Sequence, residues 1–175
     1  MYQRILVPVD GSATSQRGLQ EAIGLARQTH GRIRLLHVVD QLAFSYMTDA
    51  YSGFMGDCLS MLRADGEKLL ETAAATAGAA GVPVETAIHD GLDRRLHEVV
   101  EDEVRGWQAE LIVIGTHGRR GASRLLLGSD AERILRTSTV PVLLVRQPEP
   151  AAVHAPAQAQ PPAHVHQPTA ALSFE

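Results

Sequence analysis

Between Gly115 and Ser129 the chain reads GTHGRRGASRLLLGS, with three arginines and no acid, in a protein whose 20 Asp and Glu outnumber its 16 Lys and Arg. Gly115 and Gly118 can bring backbone N–H groups close to a ligand. Gly128-Ser129 reads as the opening of a helix, and the positive end of a helix favours anions. Arg119, Arg120 and Arg124 can neutralise phosphate charge, or simply be solvated. Together these are the parts of a phosphate cradle, although the glycines alone are equally those of turns and a helix start.

A second group follows the first apolar run. Asp10-Gly11-Ser12 offers a carboxylate that can hold Mg²⁺ or a ribose hydroxyl, or close an Asx turn, and a serine that can cap a helix. Ser129-Asp130-Ala131-Glu132 reads as a capping box. The remaining chemistry-bearing residues have plainer roles. His117 fills the loop or donates to a phosphate, and His37 reads as a hydrogen-bonded core histidine. His164 and His166 form an isolated pair without a third ligand, and Cys58 is a small helix or core residue. Gly-x-Ser-x-Gly and Gly-x-Gly-x-x-Gly are both absent. Lys68 is the sole lysine, which removes P-loop, protein-kinase and pyridoxal-phosphate sites. A single acid after the first strand, and no lysine after the last, exclude a response-regulator site.

These residues need elements to hold them. Arg4 to Val9, Ile33 to Val39, Val84 to Ile88, Leu111 to Ile114 and Pro141 to Val145 are short apolar runs without alternation, as suits strands buried on both faces. Between them lie helical stripes. Leu19, Ala22, Ile23 and Ala26 share one face of a helix that Gly31 stops. Leu62, Leu69, Leu70, Ala73 and Ala77 share another, ended by Gly81 and Pro83. Leu92, Leu96, Val99, Val100, Val104 and Trp107 form a third, and Ile134 with Leu135 mark a short fourth. The stretch from Asp40 to Gly53 shows no clear pattern. Strands alternating with helices give an α/β, Rossmann-like domain: a five-stranded parallel sheet of order 3-2-1-4-5 with helices on both faces. Ligands in such folds sit beyond the carboxyl ends of the strands, where the winding reverses, and that order sets Asp10-Gly11-Ser12 beside the glycine loop.

Composition bounds the rest. A net charge of −4 opposes a general nucleic-acid binder, and no apolar run approaches the roughly 20 residues of a membrane helix. The first residues lack a secretory apolar stretch, and one cysteine excludes a disulfide framework, so a cytoplasmic address is expected. Residues 1–146 make one domain, and 147–175, rich in Pro, Ala, Gln and His, read as a disordered tail.

The spacing Gly115-x2-Gly118-x9-Gly128-Ser129 closely resembles the nucleotide-binding motif of the universal stress protein family, in its ATP-binding branch. The resemblance continues through Ile5-Leu-Val-Pro-Val-Asp10-Gly-Ser12, Leu111-Ile-Val-Ile-Gly-Thr-His-Gly118, Ala131-Glu-Arg-Ile-Leu and Pro141-Val-Leu-Leu-Val-Arg146. It implies a stress-response regulatory protein holding ATP between strands one and four, and a homodimer formed through the last strand. Asp10 then matches the acid near ribose and phosphates, with Mg²⁺. Val9 and Val38 match the adenine pocket, Gly115 and Gly118 the ribose and phosphate turn with Arg119 beside it, and Gly128 and Ser129 the triphosphate contact. The sequence departs from the pattern at Asp130, where an apolar residue is common. Two alternatives remain: a slow ATPase or adenylating enzyme of similar fold, and a nucleotide-free dimerisation adaptor.

Overall fold

A computed structural model describes residues 1–39, 55–90, 94–116 and 127–146, with backbone alone for 55–58. The Asp40–Gly53 stretch, Leu92, the Cys58 side chain and the 147–175 tail with His164 and His166 lie outside that description.

Strands β1 (Arg4–Pro8), β2 (Arg32–Val38), β3 (Val84–His89), β4 (Leu111–Gly115) and β5 (Val142–Val145) form one sheet of order β3-β2-β1-β4-β5. All pairings are parallel, with Ile5 opposite both Ile33 and Leu111, and Gly115 opposite Val145. The expected order is therefore the observed one. Its cause is local: β1 and β4 are almost wholly buried, and only apolar residues without alternation can be sandwiched from both sides.

Helices α1 (Ala13–Thr29) and α2 (Met55–Ala79) cover one face, while α3 (Leu96–Trp107) and α4 (Ser129–Thr137) cover the other. Leu19, Ala22, Ile23 and Ala26 of α1 and Leu70, Ala73 and Ala77 of α2 meet Ile5, Val7 and Leu35. Val99, Val100 and Val104 of α3 and Ala131 and Ile134 of α4 meet Leu6, Leu36 and Ile112. Each fully buried Ile or Leu contributes about 1.5–3 kcal/mol.

Two local expectations change. His30, not Gly31, adopts the left-handed conformation that ends α1, at φ 53°, and its N–H donates to the Ala26 carbonyl. Gly31 is needed for closeness instead, because a Cβ there would lie 2.9 Å from the Gln3 carbonyl oxygen. Leu135 points outward from α4, since Ala131 and Ile134 already fill the one face a nine-residue helix can bury.

An ionic cluster sits where α3 crosses the β2–β3 edge. Arg34 stands opposite Glu85 in register, donates to it at 2.6 Å and to Glu103 at 3.0 Å, and lies 4.9 Å from the Trp107 ring centroid. His89 completes the group through Glu103, at 2.9 Å. The Arg34 hydrogen bond holds the Glu85 carboxyl below the usual glutamate range. A carboxylate whose folded pKa is depressed contributes stability above its unfolded value and loses it as pH falls through the folded one. Replacing Glu85 by Gln is thus expected to lower Tm near neutrality and to leave it unchanged at low pH. Glu85 is 42% exposed, so screening keeps the effect to about 2–4 °C. Melts at about pH 6 and about pH 3 check it; a gap that persists in acid would show that the charge is not its source.

Candidate functional site

The carboxyl ends of β1 and β4 lie side by side, and a set of backbone contacts brings the candidate residues there. Val9 is buried; its N–H donates to the Leu36 carbonyl at 2.8 Å and its own carbonyl accepts from His37 Nδ1 at 2.8 Å. His37 is thus the hydrogen-bonded core histidine its position suggests. Asp10 follows. Its Oδ1 accepts from the Ser12 N–H at 2.9 Å, closing an Asx turn, and its N–H donates to Ser15 Oγ at 3.2 Å. Gly11 supplies the left-handed φ of 81° that this turn requires. Ser12 caps α1, its hydroxyl accepting from the Ser15 N–H.

Gly115 closes β4 directly beneath that cap. A Cβ on it would lie 2.8 Å from the Thr14 carbonyl carbon and 3.0 Å from the Ser15 nitrogen. Gly18, one turn further along α1, keeps the same closeness, its own added Cβ lying 3.6 Å from the Gly115 nitrogen. Thr116 is buried, its N–H donating to the Val145 carbonyl at 2.9 Å. The Thr116 carbonyl in turn accepts from the Gly128 N–H at 2.8 Å. That backbone hydrogen bond sets the start of α4 beside the end of β4. Residues 117–126, with His117, Gly118, Arg119, Arg120 and Arg124, lie outside the described residues.

The model of the universal stress protein family matches residues 1–146. A universal stress protein of Methanocaldococcus jannaschii is 32% identical over 149 residues, 85% of each chain. The chain belongs to the universal stress protein family. A crystal structure of a member from Burkholderia pseudomallei agrees, with 31% identity, a TM-score of 0.66 and coverage of 82% of this chain and 95% of that one. Two further members were solved with nucleotides. One is in complex with cAMP (TM-score 0.60, 23% identity, 83% and 97% of the two chains), and one from Archaeoglobus fulgidus is in complex with dAMP (0.62, 21%, 82% and 98%). At those identities the likeness is one of fold.

In this universal stress protein the start of α4 differs from the capping-box reading. Gly128 is the N-cap, with φ −60° and ψ 144°, and Ser129 is the first helical residue, so no side chain caps the helix. Glu132 pairs instead with Arg136 at 3.7 Å. The first-turn N–H groups are left without a side-chain acceptor of the kind Ser12 gives α1, while Ser129 and Asp130 are exposed beside them. Val38 is half-buried and packs on the α3–α4 side, whereas Val9 belongs to the α1–α2 side. Among the described residues no group of three or more His, Cys, Asp or Glu could hold a metal unaided, and no helix is long and apolar enough to cross a membrane. Sequence reading passed over Thr14, Ser15 and Thr116; a glycine inside a helix, Gly18, was the available signal of the close approach.

Proposed function

We propose that this universal stress protein binds ATP with Mg²⁺ across the ends of β1 and β4 and acts as a homodimeric regulator in the stress response. The observation that carries the reading is the Gly128-to-Thr116 hydrogen bond, which holds an uncapped helix start at the end of β4, the strand that pairs with the one leading into the Asp10 turn. N–H groups at a helix start donate to phosphate oxygens, and a carboxylate suits Mg²⁺ or a ribose hydroxyl. Ser129 and the Gly128 backbone take the phosphate end, Asp10 the ribose and metal, and Gly115 and Gly118 the turn between them, with Arg119 neutralising charge. Val9 and Val38 flank the base. Mg²⁺ would supply countercharge to the phosphates. The two relatives in complex with adenine nucleotides support the choice of base.

Purified protein, heat-denatured without added ligand, is expected to release adenine nucleotide. Calorimetry with ATP, AMP and cAMP then ranks them. Absence of both release and binding would favour the nucleotide-free adaptor.

The dimer is proposed through β5. Leu143 is 38% exposed on an edge strand, and an apolar edge left open invites aggregation unless a two-fold partner covers it. Light scattering at micromolar concentration checks this, and a stable monomer refutes it.

Asp130 provides a sharper test. It lies exposed in the first turn of α4, at the same positive end that would hold phosphate. Asp130→Val is expected to tighten ATP binding by about 2- to 5-fold at low salt, less at high salt. Weaker binding in the presence of Mg²⁺ alone would instead assign Asp130 to the ion.

A further inference from the structure

The peptide unit joining Val9 to Asp10 is held at both ends by buried side chains from different elements. Its carbonyl accepts from His37 Nδ1 of β2 at 2.8 Å, and its N–H donates to Ser15 Oγ of α1 at 3.2 Å. His37 is 7% exposed and Ser15 6%. A carbonyl oxygen only accepts, so Nδ1 carries the hydrogen. The fold also reserves space for the ring. Gly66 of α2 lies over it, and a Cβ there would come 2.6 Å from His37 Cδ2 and 2.9 Å from Ile88 Cδ1. A glycine inside a helix is destabilising relative to alanine, and here it leaves the imidazole in place.

Loosening of that peptide plane would free the Val9 ψ and Asp10 φ angles and with them the direction of the Asp10 carboxylate. Two hydrogen bonds, from opposite sides, prevent it. We infer that His37 and Ser15 are positioning residues, clamping the Val9–Asp10 peptide so that the Asp10 carboxylate faces the nucleotide. The inference rests on the proposed role of Asp10.

Three full-length variants test it by ATP calorimetry, thermal melting and amide hydrogen exchange. His37→Leu fills the space but lacks the donor; His37→Asn puts an amide nitrogen where Nδ1 was but leaves a gap; Asp10→Ala is the control. ATP affinity is expected to fall about tenfold in His37→Leu and to stay within about threefold of wild type in His37→Asn, although the Asn variant melts lower. Exchange of the Asp10 amide should accelerate in His37→Leu while that of Val9, bonded to Leu36, does not. Affinity that merely follows Tm across the two variants overturns the clamp, as does acceleration of both amides alike. If Asp10→Ala weakens ATP binding and His37→Leu does not, the clamp alone fails. If wild type binds no ATP, the Asp10 reading fails and takes the inference with it, and Asp10 exchange then reports on the peptide contact by itself.

Discussion

Gly115→Ala is expected to lower Tm by about 5–10 °C, the equivalent of roughly 2–3 kcal/mol of overpacking in a chain of this length. The added methyl would sit 2.8 Å from the Thr14 carbonyl carbon and 3.0 Å from the Ser15 nitrogen, and both are backbone atoms that no rotamer change can move. The strain has to be relieved by shifting the first turn of α1, and that turn carries Ser15, which holds the Asp10 amide. ATP affinity should therefore fall in the same variant. Gly24→Ala is the internal comparison. Gly24 lies exposed within α1, a Cβ there meets nothing within 4 Å, and the substitution should stabilise by about 0.5–1 kcal/mol. The same methyl thus has opposite signs at two glycines. Equal melting temperatures for the two variants would mean that α1 can withdraw from β4 without cost.

Removal of the Asp10 side chain is expected to weaken ATP binding by about 10- to 100-fold, the usual loss for a hydrogen bond to a charged group. Asp10→Ala also breaks the Asx turn, because Oδ1 accepts from the Ser12 N–H, so its effect mixes local structure with ligand contact. Asp10→Asn separates them. The amide oxygen can still accept from Ser12, which keeps the turn and a near-normal Tm, while the charge that suits Mg²⁺ is gone. The Asn variant should therefore bind more weakly chiefly when Mg²⁺ is present. Wild-type affinity in Asp10→Asn, with and without the ion, would leave Asp10 with the turn as its whole role.

The sheet was legible in the sequence because its inner strands are buried on both faces, and β1 and β4 consequently read as unbroken apolar runs. Ser12 was legible for a similar reason, since a cap is recognised from residues three apart. Features that depend on distant parts of the chain were less so. Ser129-Asp130-Ala131-Glu132 has the letters of a capping box, yet the helix starts one residue earlier than that box needs, because Gly128 is pinned to Thr116 across the loop. The Arg34 cluster joins residues 51 and 69 positions apart, a separation at which no local pattern shows. Gly31 looked like a helix stop, and its actual constraint is the approach of the Gln3 carbonyl, just before β1. The Asp10 turn and the glycine that ends β4 carry marks in the sequence, whereas the buried Ser15 and Thr116 beside them do not, since a serine or threonine carries no mark of burial in sequence.

The two edges of the sheet are chemically unlike. At one end β3 presents Glu85, engaged with Arg34 and Arg32, and His89, engaged with Glu103. At the other, β5 presents Val142, Leu143 and Leu144 without a charge. Head-to-tail stacking, with the β5 of one copy laid along the β3 of the next, would repeat indefinitely and build a fibre, but it requires apolar side chains to settle against ionised ones. Pairing of β5 with β5 consumes both apolar edges at once and leaves charged rims facing outward. The homodimer proposed through β5 would thereby be an assembly of fixed size rather than an endless one.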